Sequence, residues 1–113
     1  MLLYSVDNLF CYACCYKFKK THRITTISTT SKVQTLIETN KYDIAIFDTL
    51  YMGQCDNLIR YLSNAGTYIV VIMATQEQER YYTNCQHMLG INQVFRKPIT
   101  PESYKIILSM ITT

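Results

Sequence analysis

Short apolar runs alternate along the chain with stretches of helical periodicity. Leu2 to Val6 is an apolar run closed by Asp7 and Asn8, and a helical segment follows from about Leu9 to Lys20, its closing lysines suited to the negative end of a helix. Arg23 to Ile27, rich in threonine and isoleucine, reads as a strand. Beyond the turn-like residues Ser28 to Ser31, Val33, Leu36 and Ile37 lie on one helix face, and Asn40 ends that helix. Ile44 to Phe47 is a continuous apolar run stopping at Asp48, the pattern of a strand buried on both faces. Leu58, Ile59 and Leu62 give a third helix face, Asn64 to Gly66 a stop, and Tyr68 to Met73 a second doubly buried strand. Tyr81, Cys85, Met88 and Leu89 make a fourth helical stripe capped by Gly90, and Val94 with Phe95 a last short strand. Thr100, Pro101 and Glu102 read as an N-cap, a first-turn proline and an acid at the positive helix end, opening a helix with Tyr104, Ile107, Leu108 and Ile111 on its apolar side.

Strict alternation with short connections predicts an α/β fold: a doubly wound, five-stranded parallel sheet with five helices, since right-handed crossovers must lay helices over both faces. Ligands of such sheets bind beyond the carboxyl ends of the strands. The polar residues at those ends are Asp7 and Asn8, Asp48, Thr75, and Arg96 with Lys97.

A length of 113 residues predicts one domain spanning 1–113, and 49% hydrophobic with 17% charged residues fits a compact globular chain. The longest apolar run, Ile69 to Ala74, falls far short of the roughly 20 residues that cross a bilayer, and no signal segment opens the chain. A soluble cytoplasmic protein with no membrane partner is expected. The net charge is +3, with only Lys17, Lys19, Lys20 and Arg23 clustered, so nucleic acid is not a required partner. Five cysteines, three of them crowded at Cys11, Cys14 and Cys15, cannot close a complete disulfide framework and suit a reducing compartment.

Two acidic positions, a hydroxyl and a lysine converging on one sheet edge can hold a divalent cation and a phosphoryl group together. Asp48 is the candidate nucleophile, Asp7 with Asp48 suffices in number for Mg²⁺, Lys97 supplies a point positive charge, and the Thr75 hydroxyl can bond a phosphoryl oxygen. In order and spacing, Val6-Asp7-Asn8, Ile46-Phe47-Asp48, Met73-Ala74-Thr75 and Arg96-Lys97-Pro98 resemble the receiver domain of two-component response regulators over the whole chain.

The resemblance implies a flavodoxin-like strand order of 2-1-3-4-5 and a set of roles. Asp48 would be the phosphoacceptor, Asp7, Asn8, Asp48 and the Leu50 carbonyl the metal ligands, and Thr75 and Lys97 the switch and phosphoryl-binding residues. It implies a switch rather than a metabolic enzyme, with a histidine kinase or phosphotransfer protein as partner. It also implies a homodimer through the fourth helix, fifth strand and fifth helix. A DNA-binding effector following residue 113 is a further implied possibility, beside that of a single-domain regulator.

The chain departs from the family pattern in ways that favour an atypical member. Asn8 replaces an acid, or, with a shift of one position, Val6 does; either way one carboxylate is missing, which weakens Mg²⁺ binding. The loop after Asp48, through Tyr51-Met52-Gly53-Gln54-Cys55, is degenerate, and Val94 stands where an aromatic switch is usual, with Phe95 one residue out of register and so on the other face. A phosphorylation-independent dimerisation or docking module is the alternative these departures support.

Other readings rest on single motifs. Cys11-Tyr12-Ala13-Cys14 is a C-x-x-C at a helix start, as in thiol-disulfide oxidoreductases, although the chain lacks the hairpin of a thioredoxin-like sheet. A zinc site from Cys11, Cys14 and Cys15 has no fourth ligand at finger-like spacing. Ile46 to Leu50 is similar to the haloacid-dehalogenase nucleophile motif, which needs an acid where Leu50 stands. Asp7-Asn8 taken alone reads as an N-cap for the first helix before it reads as a metal site, and the two roles can coexist, while Thr75 reads equally as a helix cap.

Overall fold

The computed structural model describes residues 1–20, 23–28, 40–48, 53, 55–97 and 99–112. Its elements run β1 (Leu2–Tyr4), α1 (Asn8–Phe18), β2 (Thr25–Ile27), β3 (Ile44–Asp48), α2 (Asp56–Asn64), β4 (Tyr68–Met73), α3 (Gln76–Leu89), β5 (Gln93–Arg96) and α4 (Pro101–Thr112). The strands form one five-stranded sheet in the order β2-β1-β3-β4-β5, every pair parallel. The strand order and the doubly wound α/β architecture are those expected. Four helices stand among the described residues, and the expected helix through Val33, Leu36 and Ile37 lies outside them.

Parity along the strands divides the core in two, because successive strand residues point to opposite faces. Leu3, Ile44, Ile46, Val70 and Ile72 pack on one face beneath Phe10, Cys14 and Phe18 of α1 and Ile107 of α4. Leu2, Tyr4, Ala45, Phe47, Ile69, Val71 and Met73 pack on the other beneath Ile59 and Leu62 of α2 and Tyr82 and Leu89 of α3. All five residues of β3 are buried, as are the last five of β4, which explains why both are apolar without alternation.

The helix ends follow the cap chemistry of the sequence. Asp7 accepts from the Phe10 amide at the start of α1, and Thr100 accepts from the Ser103 amide at the start of α4. Gly90 ends α3 at φ 77, a left-handed cap, and a side chain there would also meet Ser63 at the end of α2.

Two expectations shift. β1 is shorter than the apolar run that announces it, and Val6 is exposed. On α3 the buried positions are Gln78, Tyr82 and Leu89, while Met88 is 69% exposed, so the apolar face sits about one residue round from the stripe read through Met88. Gln78 and Tyr82 carry that face because their polar tips are hydrogen-bonded and their stems can then be buried.

Candidate functional site

The site lies beyond the carboxyl ends of β1, β3 and β5. Pairing of Tyr4 with Phe47 carries Ser5 alongside Asp48, and parity sets both on the face that α1 covers. Ser5 Oγ donates to Asp48 Oδ2 at 2.6 Å and accepts from the Asp7 amide at 3.0 Å. The first turn of α1, the serine and the aspartate are thereby joined in one relay.

Lys97 arrives from the other side. Its backbone amide donates to Met73 O at 2.8 Å, which holds it against the end of β4. Its Nζ donates to Asp48 Oδ2 at 2.8 Å and to Asp7 Oδ2 at 3.3 Å, and lies 5.0 Å from the centre of the Phe10 ring. The Asp48 side chain is only 5% exposed and that of Lys97 26%, so this ion pair is largely withdrawn from water. Burial favours loss of the lysine proton, but the Asp48 and Asp7 carboxylates outweigh it and hold the ammonium above its ordinary range. The Phe10 amide, and after it Lys97, hold the Asp7 carboxyl below its ordinary range.

Of the residues predicted for the site, Asp7, Asp48 and Lys97 meet directly. Asn8 is exposed as the first residue of α1. Thr75 follows β4 at the same edge, where its hydroxyl accepts from the Gln78 amide at 3.2 Å and caps α3. Gln78 Oε1 in turn accepts from the amides of Ala74 and Thr75, each at 3.2 Å. A threonine hydroxyl that accepts one bond still has its own proton to donate, so capping and phosphoryl binding are compatible. Leu50 lies outside the described residues.

Two members escaped the sequence reading. Ser5 sits inside an apolar run, and the signal for it was period two: it shares a face with Leu3, just as Asp48 shares one with Ile46. Gln78 was legible as the fourth residue of a Thr-x-x-Gln capping box.

Val94 packs with the α2/α3 face and Phe95 with the α1/α4 face, the opposite orientations expected from their register. Cys14 is buried and its thiol pushed up to about 12, burial raises Cys11 as well, and exchange chemistry needs the reverse. The all-parallel sheet also differs from a thioredoxin-like one. Among the described residues no three His, Cys, Asp or Glu side chains gather as a metal cluster, and no helix is long and apolar enough to cross a membrane.

No protein-family model matches the chain, and no curated protein matches it by sequence. Solved structures do match. A response regulator from Thermotoga maritima superposes with a TM-score of 0.83 at 15% identity, covering 99% of this chain and 96% of that one. A two-component response regulator from Clostridium difficile gives 0.75 at 19% identity, over 98% and 93% of the two chains. A response regulator protein from Burkholderia pseudomallei, solved with a phosphorylated aspartic acid, a calcium ion and citrate, gives 0.69 at 14% identity over 96% and 70%. With its parallel sheet in the order β2-β1-β3-β4-β5 and helices on both faces, the chain has the fold of the response regulator receiver domains.

Proposed function

We propose that the chain is a two-component receiver domain whose Asp48 accepts a phosphoryl group from a histidine kinase or a phosphotransfer protein. The observation that carries this reading is the strand-end cluster in which Lys97 Nζ contacts the nearly sealed Asp48 at 2.8 Å and the half-exposed Asp7 at 3.3 Å. A structural ion pair alone would need only one of the two carboxylates.

Among the described residues the partners of Asp48, Ser5 and Lys97, both fall on Oδ2, and Oδ1 is the oxygen assigned to the attack. The Oδ1–P bond forms as the donor's N–P bond breaks, and the departing imidazole keeps the electron pair and takes a proton from solvent. Lys97 then neutralises part of the charge gained by the new group, and the Thr75 hydroxyl is placed to donate to one of its oxygens.

The donor set fits a divalent cation. Asp7 and Asp48 offer hard oxygens to one ammonium from two sides, and Mg²⁺ is commonly held by one or two carboxylates with water and phosphoryl oxygens completing its shell. Asp7, Asp48 and the Leu50 carbonyl would hold it, with the neutral amide of Asn8 beside them. When bound, the ion offsets the charge on the incoming phosphoryl oxygens. With two carboxylates rather than three, the affinity is weak. Downstream, the surface of α3, β5 and α4 would carry homodimer contacts, and a DNA-binding effector is one output such a domain serves.

A second reading keeps the fold without phosphorylation, as a constitutive docking or dimerisation module. It is favoured by the exposure of Asn8 and by the opposite orientations of Val94 and Phe95. Incubation with a small phosphodonor and Mg²⁺ separates the two. Phosphoacceptance predicts one added phosphoryl mass on the wild type and none on Asp48→Ala; equal labelling of both proteins, or of neither, contradicts it.

A further inference from the structure

Ser5 follows β1 and Asp48 ends β3, and the two are equally withdrawn, each 4% exposed, so a reagent that reaches one reaches the other. The Ser5 hydroxyl donates to Asp48 Oδ2 at 2.6 Å, and its proton therefore already points at a carboxylate. Its Oγ accepts from the Asp7 amide at 3.0 Å; a serine oxygen has two lone pairs, and the second remains for attack on an electrophile. An alcohol is a weak nucleophile until a positioned base takes its proton, and Ser5 has such a base in contact. Lys97 Nζ lies on the same Asp48 oxygen at 2.8 Å, which sets a positive charge beside any phosphoryl group that enters here. A donor presented to Asp48 must bring its phosphorus to about 3 to 3.5 Å from that carboxylate. Ser5 Oγ stands no further from the carboxylate than that.

We infer, building on the reading of this rim as a phosphoryl-accepting site, that Ser5 is a second phosphorylation site, toward which Asp48 acts as general base instead of nucleophile. The Ser5 Oγ–P bond forms as the donor's P–N bond breaks. The serine proton passes to Asp48 Oδ2, and the departing nitrogen keeps the electron pair and takes a proton from solvent. The two modifications exclude one another. Oδ2 of an aspartyl phosphate is a carbonyl oxygen that no longer takes the proton, and a phosphoryl group on Ser5 sets its negative charge against the Asp48 carboxylate. Their lifetimes differ as well: an aspartyl phosphate is a mixed anhydride that water and hydroxylamine cleave, whereas a serine phosphate is an ester that survives both. A phosphoryl group on Ser5 is thus a lasting mark where one on Asp48 is transient.

The test is incubation with phosphoramidate and Mg²⁺, then hydroxylamine, then peptide mass spectrometry. In the wild type a hydroxylamine-resistant phosphoryl group should appear on Ser5 and accumulate with incubation time. Asp48→Asn can still accept the serine hydrogen bond through its amide oxygen but takes no proton, so accumulation on Ser5 should fall about a hundredfold or more. Ser5→Ala should lose the resistant group and keep the labile one on Asp48; the wild type and Asp48→Asn decide the matter even where Ser5→Ala folds poorly. A wild type that gains the labile group and no resistant group on Ser5 overturns the inference and leaves the Asp48 reading standing. Equal accumulation on Ser5 in the wild type and Asp48→Asn overturns it too, since a hydrogen-bond partner would then suffice. A resistant group on Ser5 without any labile group supports the inference and overturns Asp48 as acceptor, and the absence of both groups overturns both.

Discussion

Lys97 Nζ donates to Asp48 Oδ2 at 2.8 Å across a separation of 49 residues. Asp48 ends β3 and Lys97 directly follows β5, with β4 between the two strands, so only the sheet order can bring them together. Their exposures are unequal: the carboxylate is nearly sealed while the ammonium keeps access to water. The cost of losing each partner should differ accordingly.

Lys97→Met leaves a buried carboxylate without its cation and should cost about 2 to 4 kcal/mol in urea unfolding at neutral pH. Asp48→Asn leaves a lysine that still reaches Asp7 and solvent, and should cost roughly 1 kcal/mol or less. The lysine's part of the pair's contribution is complete at neutral pH and is lost as the pH rises through the elevated value of the ammonium. Equal costs for the two substitutions would show that Asp48 is not the sealed member of the pair.

Ser5→Ala removes a charge-assisted bond to that carboxylate and the acceptor of the Asp7 amide in one step. A loss of about 1.5 to 3 kcal/mol is expected, measured by the same unfolding curves. In the Asp48→Ala background the same substitution should cost much less, because its charged partner is gone. An unchanged cost there would make Ser5 a local turn residue and no part of the site.

How much of this was legible follows from where each residue gets its neighbours. Continuous apolar runs at Ile44 to Phe47 and Tyr68 to Met73 announce doubly buried strands, and the strand-end placement of Asp48 and Lys97 needs only the order of elements. Ser5 was hidden because its role depends on strand register, which a run of apolar residues does not specify. Tyr82 was hidden for a different reason: a stripe drawn through Tyr81 and Met88 satisfies helical spacing equally well, and only packing against Ile59 and the sheet decides that Tyr82 faces inward and Met88 outward. Thr75 was legible as both cap and phosphoryl ligand, and its bond to the Gln78 amide accounts for the first of these.

The Tyr81 hydroxyl offers a pH readout. Its bond to Asp56 exists only in the neutral form, and ionisation would set two negative charges side by side, so its value is pushed up to about 12. The bond is therefore intact below the ordinary tyrosine value and is lost as pH rises toward that higher value. The difference in tyrosinate absorbance between wild type and Tyr81→Phe should titrate near the raised value, and Asp56→Asn should bring it back toward the ordinary one. A difference curve centred at the ordinary value in the wild type would mean that the bond does not form in solution.

The most direct measurement of the central claim is to locate the acceptor atom. After incubation with a phosphohistidine donor and Mg²⁺, borohydride reduction converts an aspartyl phosphate to homoserine, which peptide mass spectrometry assigns to a position. The account predicts homoserine at position 48 alone, dependent on the donor and strongly reduced in Lys97→Met. Homoserine at any other aspartate, or an unmodified Asp48 under conditions in which the donor is consumed by the protein, would contradict it.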